Sequence, residues 1–148
     1  VMVIKGVEQR RRRVYKLWEE KKAPCVVIEV SSRGTRREDL VTKFQLYRDV
    51  LKVREYYIYD PLREYLPGRM KAWELRRGVY VERPIDGDRI KSPSLGLDLV
   101  DTGRMLRLAD PRNGEQIRTL EEAEAEVRRL CRELQRARRR STRGRAGR

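Results

Sequence analysis

A chain of 148 residues has room for one modest domain and an appendage. Its 41% charged residues and net charge of +14 leave no run near the roughly 18 apolar residues a membrane span needs, and its start does not resemble a secretory leader. With no histidine, and with Cys25 and Cys131 far apart, the composition argues against a structural zinc site and makes a cytoplasmic protein the plain expectation.

The positive charge is not confined to one end. Thr119 to Arg148 holds ten Arg against five Glu, and the body before it is basic by itself. Arginine outnumbers lysine 29 to 8, which suits bidentate phosphate contacts but follows equally from coding bias. A basic balance of this kind fits a polyanionic partner such as DNA, or a solvated basic surface.

In chain order, residues 1–7 read as a strand ending near Gly6. A basic run follows, Arg10, Arg11, Arg12 and Arg13, and then a segment from Val14 to Lys22 carrying Tyr15, Leu17 and Trp18. Pro24 opens an apolar strand through Val30, interrupted by Glu29. A carboxylate there needs a partner or a metal. Ser31 to Thr35 supplies a loop, and Thr35 with Glu38 resembles a capping box. The helix behind it runs to about Lys52, with Leu40, Phe44, Tyr47 and Leu51 on its apolar face. Asp39, Lys43 and Tyr47 recur on it at four-residue spacing. Glu55 to Tyr59 is an aromatic strand that stops at Asp60-Pro61.

Strand, helix, strand in that order is a βαβ unit. Beyond it, Lys71 to Leu75 and Val79 to Glu82 form a strand pair around Arg76-Arg77-Gly78. Leu97 to Val100 and Met105 to Leu108 suggest a second, around Asp101-Thr102-Gly103. The expected fold class is therefore α/β, a mixed central sheet with flanking helices and antiparallel additions at its edge. Thr119 opens another capping box, TLEE. Leu120, Ala123, Val127, Leu130, Leu134 and Ala137 then make a short a/d seam. Three regions follow: a core over 1–118, an amphipathic, coiled-coil-like helix over 119–140 that docks on the body or pairs with another chain, and an Arg-rich tail over 141–148 expected to be disordered.

Two readings of Glu29 and Lys43 stand side by side. Glu29 is either a strand-end carboxylate met by a cation or a ligand for a hard cation. Lys43 either forms an i,i+4 surface pair with Asp39 or holds or deprotonates an attacking water, or stabilises charge on a phosphate. Tyr47 reads as packing.

The segment from Pro24 to Pro61 resembles the Uma-two family of bacterial restriction endonucleases, within the PD-(D/E)XK nuclease superfamily. The resemblance rests on Pro24, Glu29-Val30, Ser32, Thr35, Asp39-Leu40, Lys43, Tyr47, Glu55-Tyr56 and Asp60-Pro61. Leu95-Gly96-Leu97, Asp110-Pro111 with Gly114, and the Glu/Arg-rich terminal helix are similar to the family's ending. It implies a restriction-endonuclease-like core that hydrolyses DNA phosphodiester bonds with Mg²⁺, or Mn²⁺ in its place. Within it Glu29 is the second metal-binding acid and Lys43 a migrated catalytic lysine, since Ser31 occupies the position where the superfamily's lysine usually stands.

It also implies an N-terminally truncated core. The preceding strand of the family carries a Pro-Asp pair, and aligning residues 1–7 with it puts its Asp, the first metal-binding acid, immediately before Val1, with roughly 60–90 further residues upstream. Cys25 stands where relatives usually carry Asp, as a space-filling thiol. The expected nucleic-acid contacts are Arg10, Arg11, Arg12, Arg13, Arg36 and Arg37. Two alternatives carry weight: a non-catalytic nucleic-acid-binding remnant, and an interaction module whose homodimer forms through Thr119–Arg140 or an exposed sheet edge.

Overall fold

The computed structural model describes residues 1–8, 10 and 12–145, with 137–145 described in backbone only. They divide into two units, Val1–Glu115 and Gln116–Arg148. In the first, β1 (Met2–Val3), β2 (Val26–Val30), β3 (Glu55–Tyr59), β4 (Met70–Arg76) and β5 (Val79–Glu82) make a five-stranded sheet in that spatial order. Strands β2 and β3 are parallel and all other neighbours antiparallel, so the sheet is mixed. A short helix, α1 (Leu17–Glu20), precedes β2.

A parallel pair needs a crossover, and here it is the helical stretch that the apolar spacing predicts. It is not a uniform α-helix. Two π-helical segments, Glu38–Thr42 and Leu46–Val50, flank α2 (Lys43–Gln45). The Lys43 N–H donates to the Glu38 carbonyl, and the Leu51 N–H to the Leu46 carbonyl at 3.0 Å, five residues back in each case. Such wide turns cluster at functional sites.

Alternation along the central strands assigns the two faces of the sheet. Val27, Tyr56, Ile58 and Trp73 face the crossover helix, where Leu40, Phe44, Tyr47 and Leu51 cover them. Phe44 meets Trp73 edge-on at 5.3 Å, and Tyr56 stacks on Trp73 at 5.6 Å. Val26, Ile28, Tyr57 and Ala72 face the other way, toward Ile90 and Leu99. All five β3 residues are buried, as befits a central strand covered on both faces.

Three features differ from the expectations. Strand β1 spans two residues rather than seven. The later strands do not extend the first sheet: β6 (Arg89–Ser92), unread in the sequence, pairs with β7 (Leu97–Asp101), and β7 with β8 (Leu106–Ala109), in a separate antiparallel sheet on the second face. Its inward side chains supply an apolar cover where a flanking helix was expected. Thr35 does not cap the helix through Glu38; its Oγ1 instead accepts the Ser32 N–H at 3.0 Å. The expected β4–β5 hairpin forms, but Arg76 belongs to β4 and pairs with Val79, so the turn is two residues, Arg77 and Gly78, both at positive φ, as a right-twisted hairpin prefers.

In the second unit, α3 runs Leu120–Arg145, into the stretch expected to be a disordered tail; residues 146–148 lie outside the described residues. Its capping box forms reciprocally: the Thr119 N–H donates to Glu122 Oε2 at 2.8 Å, and the Glu122 N–H to Thr119 Oγ1 at 3.2 Å. No helix among the described residues is long and apolar enough to cross a membrane.

Candidate functional site

Glu29 follows Val27 on the helix-facing side of β2, at the carboxyl end of the parallel β2–β3 pair. The crossover helix places Lys43 and Tyr47 directly over it. The Lys43 ammonium stands 3.4 Å from Glu29 Oε2, and the Tyr47 hydroxyl donates to Glu29 Oε1 at 2.6 Å. The residues singled out from the sequence are therefore neighbours in space.

Their burial is not as the sequence suggested. The Glu29 side chain keeps 18% of its surface exposed, because it lies one residue from the strand end. The fully buried carboxylate of this cluster is Asp39, with no exposed surface. Its Oδ1 accepts from Lys43 Nζ at 2.8 Å, its Oδ2 from the Ser31 hydroxyl, and its backbone carbonyl from the Tyr56 hydroxyl at 2.9 Å. The Tyr65 hydroxyl in turn donates to Ser31 Oγ at 2.6 Å. The pairing of Asp39 with Lys43 is thus present, but it lies inside the protein rather than on a solvated helix face. Tyr47 packs in the core as expected and is also a hydrogen-bond donor to the site. Asp39 is the residue to which the sequence reading gave no part in the site beyond pairing with Lys43. Its signals were a four-residue step to Lys43, which surface helices share, and its place in the Asp39-Leu40 pair of the family pattern.

The electrostatics fix protonation states. The hydrogen bond to Asp39 holds the Lys43 ammonium above its ordinary pKa, against a smaller desolvation penalty, with the Glu29 charge adding to it. Burial pushes Asp39 up, but hydrogen bonds from Lys43, Ser31 and Thr35 outweigh it and leave the carboxyl below its usual range. Burial, then the bond to Glu29, raises the Tyr47 phenol far above its ordinary value. At neutral pH Lys43 and Tyr47 are therefore proton donors. Lys43 can stabilise negative charge on an oxygen, but it cannot take a proton from water.

The expected arginines divide into distinct surroundings. Arg10 and Arg12 both pair with Glu20, at 3.0 and 2.5 Å, and Arg12 also donates to the Glu8 and Arg10 carbonyls. Arg13, Arg36 and Arg37 are exposed, the last two at the start of the crossover helix just before Asp39. Arg11 lies outside the described residues.

A hard divalent cation needs several oxygen ligands. Among the described residues no three of Asp, Glu, His or Cys come together as a metal-binding group. Glu29 offers one accessible carboxylate, while both oxygens of Asp39 are committed to Lys43 and Ser31. These residues by themselves do not fit a magnesium ion.

The Uma2 family model, described as "Putative restriction endonuclease", matches residues 1–105, the span that contains the whole cluster. No match to the chain is found among the curated proteins.

Proposed function

The chain belongs to the Uma2 family, and on that premise we propose that it acts on DNA as an endonuclease, hydrolysing phosphodiester bonds. The observation that carries this reading is the Lys43 ammonium 3.4 Å from the partly exposed Glu29 carboxylate, at the carboxyl end of two parallel strands. In this reading Lys43 donates to a non-bridging phosphate oxygen as charge gathers there, and Tyr47 holds Glu29 in place. Arg36 and Arg37 contact the DNA backbone beside the cluster, together with Arg13.

Magnesium, or manganese in its place, belongs to the proposal with Glu29 as one ligand of a larger set. In this reading a second acid joins Glu29 from the neighbouring strand. Met2 pairs with Val27, and the Val1 nitrogen donates to the Ile28 carbonyl at 2.6 Å. A residue joined to that nitrogen falls opposite Glu29 and shares its face, as directly paired antiparallel residues do.

A plasmid-nicking assay with Mg²⁺ or Mn²⁺ tests the reading on four proteins: the 148-residue chain, the chain with Pro-Asp joined ahead of Val1, and the extended chain carrying Glu29→Ala or Lys43→Ala. We expect metal-dependent nicking that the extension raises and either substitution abolishes. Equal nicking by all four proteins would overturn it. Salt-dependent DNA binding with no cleavage by any of them would support the alternative, a non-catalytic nucleic-acid-binding protein.

Self-association is the second part of the proposal. Leu120, Val127, Leu130 and Leu134 of α3 are all exposed, so its apolar seam is open to a second copy. The edge strand β5 exposes Val79 and Val81 as a further surface.

A further inference from the structure

We propose that Asp39 is the positioning residue of this site, holding the Lys43 ammonium on Glu29 without touching DNA itself; this rests on the nuclease reading above.

An ordinary i,i+4 pair of Asp and Lys lies on a solvated helix face and is worth a few tenths of a kcal/mol. Asp39 has no exposed surface, and an unrewarded carboxylate there would be costly. Each of its oxygens has a donor within the protein. Lys43 occupies Oδ1, Ser31 occupies Oδ2, and Tyr56 occupies the backbone carbonyl. Behind Ser31 stands Tyr65, whose hydroxyl donates to the serine at 2.6 Å and leaves the serine proton for Asp39. With its oxygens so held and no surface exposed, Asp39 is out of reach of a substrate and acts only through Lys43.

The consequence for Lys43 is a defined aim. Its ammonium carries three protons. One is directed to Asp39 at 2.8 Å and one to Glu29 at 3.4 Å, while Glu38, at 3.9 Å, is beyond hydrogen-bond reach. The third remains for an incoming oxygen on the side where Lys43 keeps 26% of its surface exposed. A free lysine has four rotatable bonds to order before it can do this; here the ordering is done by a carboxylate fixed in the core.

The test reads Lys43 directly, by NMR of the ¹⁵N-labelled 148-residue chain at constant pH. In the parent we expect a rigid, slowly exchanging Lys43 ammonium with a scalar coupling across its hydrogen bond to Asp39. Asp39→Asn should set it rotating like a surface lysine. Ser31→Ala, which frees the Asp39 carboxylate to turn, should speed its proton exchange. In the nicking assay of the Pro-Asp-extended chain, Asp39→Asn should lower kcat by about 10–100-fold with little change in KM.

A parent Lys43 as mobile as surface lysines would overturn the proposal, as would a folded Asp39→Asn chain with unchanged Lys43 mobility. Should Asp39→Asn not fold, the parent and Ser31→Ala spectra decide. The spectra do not depend on cleavage: if Glu29→Ala and Lys43→Ala nick as the parent does, the nuclease reading falls while the positioning of Lys43 is still decided.

Discussion

Tyr47 donates its hydroxyl to Glu29 Oε1 at 2.6 Å, joining the crossover helix to the end of β2 through a phenol that is itself buried in the core. One side chain therefore fills space with its ring and orients a carboxylate with its tip, the usual division of labour in a buried tyrosine.

Tyr47→Phe separates those two roles. The ring stays and the hydrogen bond is lost, so the chain should lose about 0.5–1.5 kcal/mol of stability. Urea unfolding measures that loss. Nicking by the Pro-Asp-extended chain should fall more steeply than stability does, because Glu29 loses its orientation. A variant that cuts as well as its parent would show that Glu29 needs no such support.

Lys43→Met leaves the Asp39 carboxylate buried without its cation. The expected cost is about 1–3 kcal/mol, less than for a wholly enclosed pair because Lys43 is partly exposed. In an Asp39→Asn background the same substitution should cost much less, since no charge is stranded. The difference between the two backgrounds, read from a double-mutant cycle, is the coupling energy. Additive losses would mean that the two residues are not coupled.

Glu55 ties the two sheets together from the opposite face. It is buried in β3 and accepts from the Tyr57 hydroxyl at 2.8 Å, the Ser94 N–H at 2.7 Å and the Ser92 hydroxyl. Burial pushes its pKa up, but those donors outweigh it and the net shift is downward from 4.5. A carboxyl whose folded pKa is depressed contributes stability above its unfolded value and loses it as pH falls through the folded one. Stability should therefore decline below about pH 4.5, and Glu55→Gln should flatten that decline. The same substitution should cost about 1–3 kcal/mol at neutral pH, because the amide nitrogen cannot accept from these donors. An unchanged acid profile in Glu55→Gln would remove Glu55 as its source.

Sedimentation at several concentrations tests α3. The full chain should show a mass that rises with concentration, and a chain ending at Glu115, the boundary of the first unit, should not. Glu replacing both Leu130 and Leu134 should abolish the rise without altering the melting of the first unit. A monomeric full chain would leave the exposed seam without a partner of its own kind.

Much of this was legible in the chain. The apolar step Leu40, Phe44, Tyr47, Leu51 specified the crossover helix, and Arg76-Arg77-Gly78 marked the β4–β5 hairpin to within one residue of its turn. The TLEE box marked the start of α3 correctly. Strand β6 escaped notice because Arg89-Ile90-Lys91-Ser92 carries one large apolar residue, too few for an alternating pattern. The second sheet was hidden for a related reason. Short strands announce that they pair, but not whether they extend an existing sheet or build one across its other face.

Residue types and spacing by themselves determined that Glu29 would lie in a strand and that Lys43 and Tyr47 would ride the helix that follows it; that Glu29 and Lys43 belong to one site was implied only by the family resemblance. Tertiary structure alone decided which carboxylate is buried. Glu29 stands at the strand end, where the sheet stops and water enters. Asp39 is covered by Tyr56 and held by Ser31 and Lys43, groups that reach it from β3, the end of β2 and the next helical turn. Burial is a property of what else folds over a residue, and four-residue spacing reads the same on a wet helix face as on a dry one.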